Sequence, residues 1–177
     1  MSIRSLSNSN IVGNTIAANT LIAVKDVLKT DTFSASVSGG GNVAVTDLSI
    51  THQVSNPANK LIITAFFGVA GNSNGLGDVG IAIHDGTSLI NVGDSAGSRV
   101  PTSAGGQVSD GGAAYVNTMP SISFVYSPGA GSKTYTVRAI NINASTQTLY
   151  VNRRESDTDA GGTPRAVSSL VIQEVAV

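Results

Sequence analysis

The sequence contains no cysteine, no tryptophan and only two histidines among its 177 residues. The absence of cysteine excludes disulfide bonds, thiolate metal sites and cysteine nucleophiles. Charged residues make up 12% of the chain and the formal net charge is −1. Phosphate binding needs a clear excess of Lys and Arg, so we expect no nucleic-acid partner.

Long apolar runs are missing as well. No stretch approaches the roughly 18 apolar residues of a membrane-spanning helix. The N-terminal residues "MSIRSLSNSNIVGN" contain a basic residue but not the apolar core of a signal peptide. We therefore expect a protein that is made in a cytoplasm and has no membrane partner.

Alternating apolar and polar residues dominate the chain from residue 28 onward, and turn-forming sequences such as "SGGGN", "NP", "DG", "SPG" and "AGG" separate the alternating segments. No segment there has the spacing of an amphipathic helix. The pattern predicts an all-β domain over residues 28–177, an antiparallel jelly-roll-like β-sandwich of at least eight strands. The predicted inward-facing residues are Leu48, Ile50, Val54, Leu61, Ile63, Ala65, Phe67, Val69, Val79, Ile81, Ile83, Ile122, Phe124, Tyr126, Tyr135, Val137, Ala139, Leu149, Val151, Leu170 and Ile172.

One strand carries apolar residues on both of its faces. In "KLIITAFFGV", Ile62 and Phe66 alternate with the predicted inward-facing residues. A strand with two apolar faces is typically covered on both sides. We therefore expect this strand to be buried on both faces.

The first 27 residues differ from the rest of the chain. They are polar and rich in Asn, and their apolar residues occur at irregular intervals that cannot form a core on their own. We interpret residues 1–27 as an extended N-terminal arm that orders on a partner, with a frayed tail as the alternative. The residues available for contact with the partner are Ile11, Val12, Ile16, Leu21 and Ile22.

Two glycine-rich motifs of enzymes overlap in residues 71–80. Residues 71–75 read G-x-S-x-G, the nucleophile motif around Ser73, and residues 75–80 read G-x-G-x-x-G, a dinucleotide-binding motif. Both sites require a helix after the motif, whose N-terminus holds the oxyanion or phosphate. The following segment "DVGIAIHDG" instead alternates like a strand. The sequence thus favours a loop between two strands, with no catalytic residue and no cofactor.

The two histidines and the acidic segment "ESDTDAGG" give little further support for chemistry. His84 is expected at a strand end beside Asp85, and His52 lies in the inward phase of its strand. Asp157 and Asp159 stand at alternate positions with Glu155, so oxygen ligands could surround a calcium ion. A solvated acidic turn, partly neutralised by Arg153 and Arg154, is the preferred interpretation, and no metal site is predicted.

Several segments occur in the order found in a β-domain of tailed-bacteriophage virion proteins. They are "TDLSITHQVSNPANKLIITAFFGV", "GTSLINVGDSAGSR", "TYTVRA", "TLYVNRRESDTD" and "SSLVIQEVAV". The most specific pieces are residues 93–99 and 150–159. The chain resembles this family over residues 27–177. The resemblance implies a jelly-roll-like sandwich that trimerises, found at the ends of fibre chains and in capsid-attached proteins.

One departure from the family affects the expected function. Family members often carry a long N-terminal fibre or repeat region, whereas this chain has about 27 residues there. The resemblance then implies a homotrimeric capsid decoration (cement) protein on the virion surface. The host cytoplasm would be its site of synthesis, and the major capsid protein of the head would be its partner through the arm. The alternative is a short head or tail fibre, or a receptor- or carbohydrate-binding tip that contacts other tail or fibre proteins. Loop aromatics such as Tyr115 would then contact a glycan.

Overall fold

The computed structural model describes residues 17–73, 78–106 and 117–177. This part of the chain forms twelve strands and contains no helix, so none of it forms a helix that could cross a membrane. The strands are β1 (Leu21–Lys29), β2 (Phe33–Val37), β3 (Asn42–Val54), β4 (Lys60–Phe66), β5 (Ala70–Asn72), β6 (Val79–His84), β7 (Leu89–Ile90), β8 (Ala104–Gly106), β9 (Ser121–Tyr126), β10 (Gly131–Asn141), β11 (Gln147–Val151) and β12 (Ser168–Val175).

Two antiparallel sheets face each other. Sheet 1 has the strand order β1-β12-β4-β9, and sheet 2 has the order β3-β10-β6-β7, with β8 paired to β6. A small third sheet, β2-β11-β5, adjoins them. Most connections between the main strands pass from one large sheet to the other, as in a double-sheet jelly roll. The prediction of an all-β antiparallel sandwich is confirmed.

The core lies between sheets 1 and 2 and consists largely of the residues that alternation assigned to the inner faces. Of the assigned residues, Phe124 and Tyr126 are half-buried and pack against it. Leu61, Ile63 and Ile172 of sheet 1 and Ile81 and Val137 of sheet 2 are buried. Each large apolar side chain removed from water in this way contributes about 1.5–3 kcal/mol. The core therefore holds the two sheets together.

The turn residues have the backbone conformations that their sequences predict. Gly86, in the Asp85-Gly86 turn after β6, has a φ of 94°, and Gly40, between β2 and β3, has a φ of 70°. Residues other than glycine seldom adopt such angles. These glycines allow the chain to reverse between strands.

The predicted boundary of the arm falls within a strand. β1 begins at Leu21 and pairs with β12 up to Lys29, so the expected boundary between residues 27 and 28 lies inside a strand. Apolar alternation did not indicate β1 because its inner positions include Lys25. The ammonium of Lys25 donates to the carbonyl oxygen of Thr51 at 2.8 Å, so it bridges to sheet 2 in place of an apolar contact.

The second face of β4 is less buried than predicted. Ile62 is half-buried and Phe66 is exposed. Sheet 1 is the outer layer of the sandwich at this position, and no element of the described chain packs over it. The described residues therefore do not cover this face, although the sequence predicted that it is covered.

Candidate functional site

The glycine-rich segment begins on the third sheet and ends on sheet 2. Residues 71–73 lie on β5 and the turn that follows it, residues 74–77 lie outside the described residues, and β6 begins at Val79. The Ser73 hydroxyl accepts a hydrogen bond from the backbone amide of Thr148 and donates one to Gln147, both at 2.9 Å. Ser73 thus joins β5 to β11, and the described residues after it continue as a strand.

His52 belongs to a polar group that we call the end cluster, which consists of the buried residues His52, Asn59 and Glu174 and the exposed residue Ser55. His52 Nε2 lies 2.7 Å from Oε2 of Glu174. The other carboxylate oxygen accepts hydrogen bonds from Asn59 Nδ2 at 2.6 Å, from Ser55 Oγ at 2.7 Å and from the Ser55 amide at 2.9 Å. The cluster joins the end of β3, in sheet 2, to the end of β12, in sheet 1.

Hydrogen bonding keeps the Glu174 carboxylate ionised although it is buried. Burial alone would raise its pKa because it removes water from the charge. The hydrogen bonds from Asn59, Ser55 and His52 outweigh that effect and lower the pKa of Glu174 to about 2. At neutral pH Glu174 is therefore an ionised acceptor whose hydrogen bonds link the two sheets.

A second polar group surrounds Asp85 at the turn after β6. Its carboxylate accepts hydrogen bonds from the Lys133 ammonium at 2.6 Å and the Tyr126 hydroxyl at 2.8 Å. The backbone amides of Thr87 and Ser88 donate to the other oxygen. Burial opposes ionisation, but these donors hold the pKa of Asp85 well below its usual range. Burial and the Asp85 hydrogen bond raise the pKa of Tyr126.

Strand register places both groups at the same end of the sandwich. His52 on β3 is paired with Lys133 on β10, and Glu174 on β12 is in one row with Leu61 and Tyr126. The carboxylates of this end already have donors within the chain. We interpret both groups as structural ties between strand ends. The sequence indicated the inward position of His52 but not its partner, which lies 122 positions away.

The acidic turn is held by arginines. Asp157 accepts from Arg165 at 2.8 Å and lies 3.4 Å from Arg153. The Arg153 guanidinium also lies 4.7 Å from the ring centre of Tyr150. A polar cleft of about 240 Å³ opens beside Asp157 and Asp159. Within residues 17–73, 78–106 and 117–177, no three His, Asp or Glu side chains are grouped to hold a metal ion.

Asn152 lies inside one of the two segments that carry the family resemblance. It adopts a φ of 63° and is fully buried. Its side-chain amide donates to the carbonyl oxygens of Lys29 and Asp31 at 2.9 and 3.0 Å, and its oxygen accepts from Ser168 at 2.7 Å. Asn152 therefore fastens the end of β11 to the end of β1 and the start of β12.

The other segment, residues 93–99, forms an exposed turn after β7. The amide of Arg99 donates to the carbonyl of Ala96, and the intervening Gly97 has a φ of 62°. Gly93 donates to Thr102 at 3.1 Å, which closes the base of the turn. Residues 93–99 thus form a turn, and residues 150–159 run from the end of β11 into the loop before β12.

The residues assigned to the arm are divided by the structure. Ile11, Val12 and Ile16 lie outside the described residues, as does the loop aromatic Tyr115. Leu21 and Ile22 belong to β1, where Leu21 is exposed and Ile22 is half-buried. Just before β1, the backbone amide of Asn19 donates to the carbonyl of Ala176 at 2.7 Å. This hydrogen bond fixes the start of the described chain against the end of β12.

No protein-family model matches the chain, and no curated protein matches it. Among solved structures, the chain is similar to a chain in the structure of infectious bursal disease virus Gx strain, with 12% identity and a TM-score of 0.37. The match covers 100% of this chain and 43% of the other, so the present chain spans less than half of that protein's length. A likeness at this level carries no argument about function.

Proposed function

We propose that this protein is a structural protein of a tailed-bacteriophage virion, and specifically a homotrimeric capsid decoration protein on the outer head surface. The observation that carries the proposal is the sequence resemblance in residues 93–99 and 150–159. These segments lie on a double-sheet jelly roll, the architecture that the resemblance implies. Because one fold hosts many functions, the proposal rests on the segments rather than on the fold.

The charge distribution supports this role. The net charge is −1, and several charged groups are neutralised by near neighbours, such as Lys29 by Asp31 and Lys133 by Asp85. A protein present in many copies on a shell must not repel itself or adhere to unrelated surfaces, and a small net charge limits both effects. The sandwich meets this requirement.

The arm supplies the proposed contact with the major capsid protein. Burial of Ile11, Val12 and Ile16 would contribute roughly 1.5–3 kcal/mol each, less the entropy lost when the segment is ordered. Association of copies would multiply a modest affinity per arm, because several arms bind at once. The hydrogen bond between Asn19 and Ala176 places residue 19, which follows the proposed contact residues, at one corner of sheet 1.

Deleting residues 2–16 tests the proposal because this change leaves β1 intact. We expect a folded domain that no longer binds capsids, and particles without the protein should lose DNA at a lower temperature. Replacing Ile11, Val12 and Ile16 by serine in the full chain should have the same effect. The matched control is Ser49→Ala, an exposed position on sheet 2, which should bind normally.

Two outcomes would contradict the decoration role: immunogold labelling only at the tail, or normal capsid binding after the deletion. Labelling at the tail would favour the short-fibre alternative. Binding on a glycan array that is lost in Tyr115→Ala would favour a carbohydrate-binding tip.

The proposed role includes no catalytic step. The absence of a catalytic step is supported by the Ser73 hydroxyl, because its hydrogen bonds with Gln147 and Thr148 connect two strands. A hydrolase screen that includes glycans and peptidoglycan tests this part of the proposal. Turnover that disappears in Ser73→Ala or Asp94→Asn would overturn it.

A further inference from the structure

The surface of sheet 1 that faces away from the core, which we call the outer face, is unusually apolar. Strand register places its residues in three rows that cross β1, β12, β4 and β9. The rows are Val24-Gln173-Ile62-Val125, Asp26-Val171-Thr64-Ser123 and Leu28-Ser169-Phe66-Ser121. Val175 and Lys60 continue the face beyond the first row.

The apolar side chains of the outer face are open to solvent. Val24 is 54% exposed, Leu28 57%, Val125 62% and Phe66 36%. A shallow groove of about 270 Å³ opens at the corner of the face, lined by Asn19, Lys60, Ile62, Val125, Val175 and Val177. Monomeric soluble proteins rarely expose large contiguous apolar patches, and such patches often mark interaction sites.

The opposite side of the sandwich provides a contrast. Ser49, Thr51 and Gln53 of β3 point away from the core and are exposed. The Thr51 hydroxyl is hydrogen-bonded to that of Thr134 on the neighbouring strand at 2.8 Å. This surface has the polar character of a solvated sheet face. The apolar character is therefore a property of the outer face of sheet 1 and not of both surfaces.

Two opposite charges lie on the outer face, Asp26 on β1 and Lys60 on β4. Both are exposed, and neither forms an ion pair within the described part of the chain. Gln173 of β12 lies between them, on the strand that separates β1 from β4 and in a row between their two rows. The face carries no net charge, so it lacks the cationic excess that nucleic acids or anionic lipids would require.

This arrangement of charges suits a second copy of the same surface. When two copies of the outer face meet, the acid of one can approach the base of the other while their apolar side chains are buried. Gln173 lies between the two charges and can hydrogen-bond to a polar group of the neighbouring copy, because an amide side chain contains both donors and an acceptor. A partner of one charge sign would leave either Asp26 or Lys60 against a like charge.

We propose that the outer face of sheet 1 is the surface through which copies of this chain associate, with Asp26 of one copy facing Lys60 of its neighbour. The apolar face of β4, which the sequence predicted to be covered, is then covered by the neighbouring copy. This association can be measured in solution. The result of that measurement does not depend on where the protein lies on a virion.

Charge reversal on the full chain tests the proposal. Asp26→Lys and Lys60→Asp should each raise the concentration at which the assembly half-dissociates by about tenfold, equivalent to about 1.4 kcal/mol. The double variant should return the midpoint towards that of the wild type, because it restores one acid opposite one base. Light scattering and sedimentation equilibrium give the mass and the midpoint, and Ser49→Lys on sheet 2 is the matched control. Circular dichroism verifies folding.

Engineered cysteines give a second measurement without background, since the chain contains none. Under mild oxidation a chain that carries both Asp26→Cys and Lys60→Cys should form covalently linked oligomers in high yield, whereas Ser49→Cys should remain unlinked. A wild-type chain that stays monomeric, or an assembly whose midpoint is unchanged by both single charge reversals, would overturn the proposal. An assembly formed through another surface would also overturn it, yet would leave the proposed function standing. Failure to find the protein on capsids would affect only the proposed function.

Discussion

At the residue scale, a few buried polar side chains join strands that are far apart in sequence. Asn152 is one of them, because its amide group binds backbone atoms at the ends of β1 and its oxygen binds Ser168. Glu174 is another, because it joins β12 to β3 and to the loop before β4. A buried polar group that loses its partners costs about 1–3 kcal/mol. Substitutions at these residues should therefore reduce stability more than substitutions at exposed polar residues.

Asn152→Ala should lower the free energy of unfolding by about 2–4 kcal/mol, because the hydrogen bonds to Lys29, Asp31 and Ser168 are lost and alanine disfavours a φ of 63°. Asn152→Gly loses the same hydrogen bonds but tolerates the backbone angle, so it should cost about 1 kcal/mol less. Urea denaturation measures both variants. Asn91, which is exposed and has a φ of 53°, is the control, and Asn91→Gly should be nearly neutral. Equal losses at both sites would contradict the explanation.

The lowered pKa of Glu174 predicts that the protein loses stability in acid. Glu174 has a pKa of about 2 in the folded protein against an ordinary value of 4.5, so its contribution is present above about pH 5 and is lost as the pH falls towards 2. The full contribution is about 3 kcal/mol. Glu174→Gln should therefore be less stable at pH 7 and should lose less stability in acid than the wild type. Urea denaturation over a pH series measures this difference. A parallel pH profile for Glu174→Gln would refute the prediction, and Asp94→Asn, at an exposed position, is the control.

At the element scale, β1 is both the first described strand and an edge of sheet 1. Its ladder with β12 starts at Leu21 and Val175 and is irregular only between Leu21 and Ala23. Removing residues 2–16 should leave the melting temperature unchanged. Removing residues 2–24 should lower it by roughly 4–8 °C, since the lost ladder contributes about 2 kcal/mol and each kcal/mol corresponds to about 2–4 °C at this length. Thermal melts followed by circular dichroism test this. Equal melting temperatures for the two deletions would show that the start of β1 adds nothing.

The turn that contains Asp157 is a second element with a testable property. Arg153 and Arg165 already neutralise its carboxylate, so a calcium ion would have to displace them. We expect neither millimolar calcium nor a chelator to change the melting temperature, because a ligand stabilises only the state that it binds. A rise in melting temperature with calcium that is abolished in Asp157→Asn would instead establish a metal site.

The strands could be predicted where one face alone enters the core. In β3, β10 and β12, alternation identified the inward residues, such as Ile50, Tyr135 and Ile172. β1 was missed because Lys25 occupies an inner position, and the short strand β8 has only small side chains with no apolar pattern. The polar groups could not be predicted as pairs, because the partners come together only when the two sheets pack. The residue type and its position in the alternation along a strand suggest that a side chain is buried. They do not show which residue that side chain contacts.

At the scale of the whole molecule, the two sheets give the protein two different surfaces. On sheet 2, β3 exposes the polar residues Ser49, Thr51 and Gln53, whereas the outer face of sheet 1 exposes Val24, Leu28 and Val125. Association through the outer face would leave the polar surface of β3 open to the surroundings.

The position of β12 constrains when the chain can fold. β12 lies between β1 and β4 in sheet 1, yet it is the last of the described strands to be translated. Until it has left the ribosome exit tunnel, β1 has no neighbour in sheet 1, and β4 lacks one of its two. Folding during translation should therefore stop short of the complete sandwich. A chain ending at residue 167 should show no cooperative unfolding, and a ribosome-bound chain should become protease-resistant only when a C-terminal linker lets residues 168–175 emerge. Protection of the stalled chain before that point would show that sheet 2 folds alone.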